Sequence, residues 1–267
     1  MIKNWLLTGD THGKVCERIA EIDKELYPVG ETALIILGDA GINFYLNNTD
    51  KRNKKNIQKT GYVVYCVRGN HEERPEKVPG IHPMYDENVN GVVLHDIEYP
   101  NIRYFMDGGE YTINDHSILT IGGAYSIDKW HRLARAPYPD GWTGWFESEQ
   151  LTEDEMREIE LKCMNNHYDI VLTHTCPISW EPTDLFLAGI NQSKVDKTME
   201  NFFERIKDAM SWGIWCFGHY HDDRLVRPRV EMLFYNIIEL NSIIEQWENE
   251  NDNYWFMRKD PNYWMGV

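Results

Sequence analysis

The hexapeptide Phe217-Gly218-His219-Tyr220-His221-Asp222 closes the apolar run "WGIWCFG", and its two histidines, one residue apart, share a face of any extended backbone. Two neutral imidazoles on one face can be a packed core pair, an accident of composition or half of a metal site. A regularity along the chain favours the metal site: apolar runs repeatedly end in Gly or Thr and then deliver a metal-capable side chain. "LLTGDTH" delivers Asp10 and His12, "IILGD" delivers Asp39, "CVRGNH" delivers Asn70 and His71, "VLTH" delivers His174, and "CFGHYH" delivers His219 and His221. Five of the ten histidines occupy these places, which is more than scattered surface histidines would supply.

Aspartate, asparagine and imidazole without thiolate suit borderline divalent ions such as Mn, Fe or Zn. Seven donors are too many for one ion and fit two ions that share a carboxylate, the arrangement that clamps an in-line displacement at phosphorus. Two divalent cations outweigh the carboxylates of Asp10 and Asp39, so such a site stays electropositive inside an acidic chain. It would attract phosphate and acidify a bridging water towards hydroxide, the nucleophile of a hydrolysis.

These side chains need a scaffold that brings strand ends to one edge. "WLLTG" reads as a strand, and Val15, Ile19, Ile22 and Leu26 fall at helical spacing over 14–26. "ALIILGD" and "YVVYCVRGN" are buried strand runs separated by a polar, basic stretch whose run over 51–55 reads as a solvated helix face, a rhythm that predicts parallel pairs with crossovers of the usual hand. Sites of open α/β sheets gather at the carboxyl ends of such strands. Between about 91 and 123, short pieces broken by Gly, Asn, Asp and Pro predict an antiparallel meander. The segment at about 126–147 is rich in Trp, Pro and Gly and reads as an irregular insert. Thr152 and Glu155 then form a capping box, with Leu151 and Met156 as its staple. "DIVLTH" is a further buried strand, 194–210 a helix, and "MLFYNII" a last strand; an acidic, aromatic tail runs over about 242–267 and is expected to pack back on the domain.

At 267 residues, 42% hydrophobic and 13% aromatic, the chain can bury a sizeable core, and with no linker or composition break it reads as one domain over 1–267. Its 27 basic against 43 acidic residues give a net charge of −16, the wrong sign for gripping a long phosphate backbone. The expected partner is a small phosphorylated substrate, with no long nucleic acid and no membrane; the oligomeric state is not legible. The first residues do not form a signal peptide, which points to the cytoplasm. Five scattered cysteines without C-x-x-C spacing predict neither disulfides nor a thiolate site.

With "GDTHG", "GDAG", "GNHE", "TH" and "GHYH" in this order over residues 9–221, the sequence resembles the calcineurin-like metallophosphoesterases. The resemblance implies an α/β fold, a four-layer α/β/β/α sandwich of two mixed β-sheets flanked by helices. It implies that Asp10, His12 and His221 bind one metal, that Asn70, His174 and His219 bind the other, and that Asp39 bridges them. His71 would be the general acid towards the leaving oxygen, or would stabilise charge in the transition state. The implied activity is hydrolysis of a phosphate ester on a small or nucleotide-like substrate; a nuclease or cyclic-nucleotide phosphodiesterase is the alternative, and a metal-free scaffold a more distant one. Phosphoprotein phosphatases of the family continue the second block as G-D-x-x-D-R-G, whereas Ala40, Gly41, Ile42 and Asn43 stand here, which argues against that activity. With that phosphate-holding Arg absent, Arg68 and Arg74 beside the third block, and Arg132 and Arg135 beside Lys129 in the insert, are the candidate phosphate holders.

Overall fold

Alternation decides the layers. In the strands "NWLLT", "TALIIL" and "VVYCV", odd-numbered Trp5, Leu7, Ile35, Leu37, Tyr65 and Val67 enter one core cluster, and even-numbered Leu6, Leu34, Ile36, Val64 and Cys66 enter another. Each strand is therefore apolar on both faces and must be covered on both, as parallel strands between layers are.

A computed structural model describes residues 1–134 and 143–250 of the chain. Its first sheet is built from β1 (Asn4–Thr8), β2 (Thr32–Leu37), β3 (Val63–Val67), β4 (Ile81–Asp86), β5 (Gly91–Asp96) and β6 (Ile102–Tyr104). The second contains β7 (Gly109–Ile113), β8 (His116–Ile121), β9 (His167–Thr173), β10 (Ser211–Phe217), β11 (Arg224–Arg227) and β12 (Val230–Met232), and β13 (Ile238–Glu239) returns to the first. Their orders are β13-β1-β2-β3-β6-β5-β4 and β11-β12-β10-β9-β8-β7. Both are mixed, with parallel centres (β1-β2-β3-β6 and β8-β9-β10-β12) and antiparallel edges.

The helices are α1 (Val15–Ala20), α2 (Asn48–Thr60), α3 (Lys129–Ala134), α4 (Glu153–Cys163), α5 (Thr198–Ala209) and α6 (Leu240–Glu250). Val15 and Ile19 of α1 and Ile57 of α2 cover the outer face of the first sheet. Met156 and Ile159 of α4, with Phe202, Phe203 and Ile206 of α5, cover the outer face of the second. Between the sheets, Leu7, Ile35 and Leu37 meet Ile118, Ile170, Leu172 and Cys216. The architecture is the expected four-layer α/β/β/α sandwich.

Four local expectations are corrected. The first helix ends at Ala20, because Asp23 Oδ1 accepts the Glu25 N–H in a turn and Pro28 follows, leaving Leu26 68% exposed. The helix expected over 194–210 starts at Thr198, whose N–H is taken by Asp196 Oδ1 at 2.8 Å. The expected meander is divided between the sheets: β5 and β6 stay in the first, and the chain crosses at Phe105, buried in the inter-sheet core, to β7 and β8 of the second. The basic run over 51–55 is not wholly solvated, since Lys54 turns inward to Asp96 at 2.9 Å. The capping box of α4 forms as read, with Thr152 and Glu155 bonded reciprocally. Within the tail, Trp247 of α6 is buried in the inter-sheet core, while 251–267 lie outside the described residues. Among the described residues, no helix is long and apolar enough to cross a membrane.

Candidate metal centre

Strand register sets the site. Thr8 of β1 pairs with Ile36 of β2, Leu37 of β2 with Val67 of β3, and Thr173 of β9 with both Ile121 of β8 and Phe217 of β10. The parallel strands of both sheets thus end at one edge, and the residues just after β1, β2, β3, β9 and β10 are the seven expected ligands and His71. His12, Asp39, His219 and His221 all adopt left-handed backbone with φ between 46° and 70°. Each such non-glycine residue costs about 1 kcal/mol or more, and strain of this kind clusters where side chains must be aimed.

All eight side chains are brought together. Side-chain atoms of Asp10, His12 and His221 lie within 4.8 Å of one another, as do those of Asp10, Asp39 and His174. Asp39 stands between the two groups: Oδ2 is 4.0 Å from His12 Nδ1, Oδ1 is 3.7 Å from His174 Nε2, and Oδ1 also accepts the His71 N–H at 2.8 Å. Asp10 belongs to both groups, which the resemblance did not imply; its Oδ1 accepts the N–H of His219 at 2.9 Å and its Oδ2 is 3.1 Å from His221 Nε2. The rings of His174 and His219 are 5.0 Å apart. His71 is half-buried at the rim, its Nε2 3.8 Å from Asp39 Oδ2.

The hydrogen-bond chemistry tests whether cations fit. His174, fully buried, has Nδ1 2.8 Å from the carbonyl oxygen of Leu37, so Nδ1 must carry the hydrogen and donate. Asn70 Nδ2 donates to Ser126 Oγ at 2.8 Å, which turns Oδ1 towards His174 Nε2, also at 2.8 Å. When the imidazole is neutral, Nε2 is the nitrogen left to bind a cation, beside an Asn70 oxygen already aimed at the same point. His12 Nε2 and His221 Nε2 meet at 2.9 Å, and the buried Asp10 Oδ2 lies 3.1 Å from the same His221 nitrogen. Carboxylate and imidazole groups converging in this way are what a divalent cation stabilises, and the residues fit such a cofactor.

The ionisation equilibria agree. Burial pushes the Asp39 carboxyl up, but the imidazoles of His71, His174 and His12 and the His71 N–H outweigh it and hold the group below the usual carboxylate range. Asp10 is likewise lowered: burial opposes ionisation, and the His221 contact and His174 overcome it. Burial, reinforced by His174, drives His219 down to about 3, leaving a neutral imidazole, the form that ligates metals. Burial also lowers His71, against the pull of Asp39.

The arginines are placed otherwise than expected. Arg68 is 3% exposed, forks onto Asp107 with Nε and Nη2 at 2.9 Å, and donates to the carbonyl of Glu149. Arg74 forks onto Glu155 at 2.6 and 3.1 Å and donates to the carbonyls of Ser148 and Gln150. Both therefore pin the loop before α4 to the third strand end, their guanidinium groups engaged by protein carboxylates and carbonyls. Arg132 does reach the centre: it lines a cleft beside His12, His71 and His221 while bonded to Asp128 and the Gly144 carbonyl. Arg135 lies outside the described residues. Lys129, grouped with these arginines in the sequence, sits over the Trp145 ring at 4.3 Å. The Cys176 thiol is buried, and burial raises it well above the usual range, in keeping with a packing role.

Sequence reasoning missed Ser126, which orients Asn70. Its signal was present, since β8 also ends in Gly122-Gly123 at the same edge, but Ala124 and Tyr125 follow in place of a charged residue or histidine. Among comparisons with known proteins, a family model described as calcineurin-like phosphoesterase matches residues 4–223, a span holding all seven ligand candidates and His71. No curated protein matches the chain.

Proposed function

The chain belongs to the calcineurin-like phosphoesterases, hydrolases that act on phosphoester bonds with divalent metal ions, and on that premise we propose that it cleaves a small phosphate ester at a two-cation centre. In this reading Asp10, His12 and His221 would hold one cation and Asn70, His174 and His219 the other, with Asp39 shared between them. The cations, of the Mn, Fe or Zn type, would polarise the phosphoryl oxygens and acidify the attacking water. The observation that carries the reading is the convergence of Asp10, His12 and His221, and of Asp10, Asp39 and His174, each set within 4.8 Å, with the Asp39 carboxylate standing between them.

The chain's own residues do the rest. Leu37 O fixes the His174 tautomer and Ser126 fixes the Asn70 amide, so both donors are oriented before a ligand arrives. His71, 3.8 Å from the bridging carboxylate, protonates or hydrogen-bonds the departing ester oxygen. The net charge of −16 supports a small substrate over a long nucleic acid.

The test is a paired assay of manganese-loaded wild type and His71→Ala on p-nitrophenyl phosphate and on an alkyl phosphate with a basic leaving group. Wild type should hydrolyse at least one, and the substitution should lower kcat about 10²-fold on the alkyl ester and several-fold less on the nitrophenyl ester. Absence of metal-dependent hydrolysis across both ester types would remove the proposed activity, and equal losses on the two would remove His71 from the leaving-group side.

A further inference from the structure

Two clefts open from the metal centre, and their charges are opposite. One, of about 310 Å³, is lined by Tyr125, Phe186, Leu187 and Val195 together with Glu181 and Asp196. Its Lys197 is already matched, 2.6 Å from Glu181 Oε1, so the cleft offers apolar surface and spare negative charge. The other, of about 560 Å³, is lined by Lys14, Arg52 and Arg132 beside the rings of Phe44 and Tyr45. Asp128 answers Arg132 at 2.7 Å, and the exposed Lys14 and Arg52 remain to give the cleft its positive charge. His71, His221 and Asp128 line both clefts, so a phosphorus held at the centre faces one on either side.

Resting on the phosphoesterase reading, we infer that the substrate carries two anionic centres: the phosphorus that reacts, and a second phosphate-like group seated against Lys14 and Arg52, with an uncharged apolar portion in the opposite cleft. In a chain of net charge −16 a polyanion is repelled at range, but within a Debye length of about 8–10 Å nearby cations set the local potential. The acidic cleft excludes the second anion and the basic cleft accepts it, which fixes the orientation of the substrate across the centre. The reaction stays a hydrolysis. Water oxygen forms the new bond to the reacting phosphorus, and the ester oxygen departs with the bonding pair and takes up a proton.

The basic residues were legible in the sequence only as parts of two separate helical stretches. Arg52 lies in α2 and Lys14 just before α1, and the fold alone brings them to one wall.

Manganese-loaded protein titrated calorimetrically with AMP and with adenosine 5′-(α,β-methylene)diphosphate compares one anionic group with two on the same nucleoside. Wild type should bind the diphosphonate at least about tenfold more tightly, as a pair of charge-assisted contacts allows. Lys14→Ala/Arg52→Ala should reduce that preference to about threefold or less, with an unchanged melting temperature because both side chains are exposed. Equal affinities in wild type, or a preference that survives the double substitution as chelation of manganese would, overturns the inference. Hydrolysis of p-nitrophenyl phosphate and of the alkyl phosphate by the same preparations is read separately. Its absence counts against the phosphoesterase activity and leaves the binding ratio as an independent result.

Discussion

Asp39→Asn is expected to lower kcat of the metal-loaded enzyme by about 10³–10⁴-fold while leaving the fold intact. Asp39 is 1% exposed and lies between the two ligand groups, 4.0 Å from His12 Nδ1 and 3.7 Å from His174 Nε2. In the proposed two-cation centre its carboxylate would be one of two negative charges opposing the ions at close quarters; an amide offers one oxygen and no charge. The several kcal/mol that two-cation stabilisation contributes to a phosphoryl transition state would then be largely lost, and each 1.36 kcal/mol is a factor of ten. The fold survives because an asparagine Oδ1 can still accept the His71 N–H now bonded at 2.8 Å. Steady-state kinetics together with elemental analysis check the point. The expected variant retains its melting temperature and holds fewer than two equivalents of manganese; retention of both ions with kcat within tenfold of wild type would show that Asp39 is no bridge.

How far the sequence reached depended on the range of the interaction concerned. Strand runs and their ends are local: the odd and even residues of "TALIIL" are both apolar, so two covered faces were legible, and the run-ending Gly or Thr marked every ligand from Asp10 to His221. The roles of arginines were not, because a guanidinium is assigned by its partner. Arg68 finds Asp107 and Glu149 some forty and eighty positions away, and nothing near "RGNHE" announces them. The same holds for Lys54, whose partner Asp96 arrives on another strand. β4 was overlooked because it contains Pro83, which is tolerated there only because β4 is the edge of its sheet. The split of the meander between two sheets is likewise a choice of pairing partner, which turn residues do not encode.

The glycines that precede the candidate ligands carry a second expectation, strongest at Gly38→Ala: a destabilisation of about 3–6 kcal/mol with loss of a cation held by His174. Gly38 has φ +93°, and a Cβ there would sit 1.9 Å from His174 Nδ1. His174 cannot step aside, since it is fully buried, with Nδ1 on the Leu37 carbonyl and Nε2 against Asn70. Backbone strain of about 1–2 kcal/mol adds to an overpacking cost of about 1–3 and to the lost His174 bond of about 1. Gly30→Ala separates these contributions: its φ of +87° is nearly the same, but nothing lies within 4 Å of the added carbon. Denaturant unfolding of both variants should therefore give about 1–2 kcal/mol at Gly30, for backbone strain alone, and the larger figure at Gly38. Manganese stoichiometry should fall only in the second. Equal losses in the two variants would mean that the strand end yields freely, and that the glycine serves the turn and not the packing of a ligand.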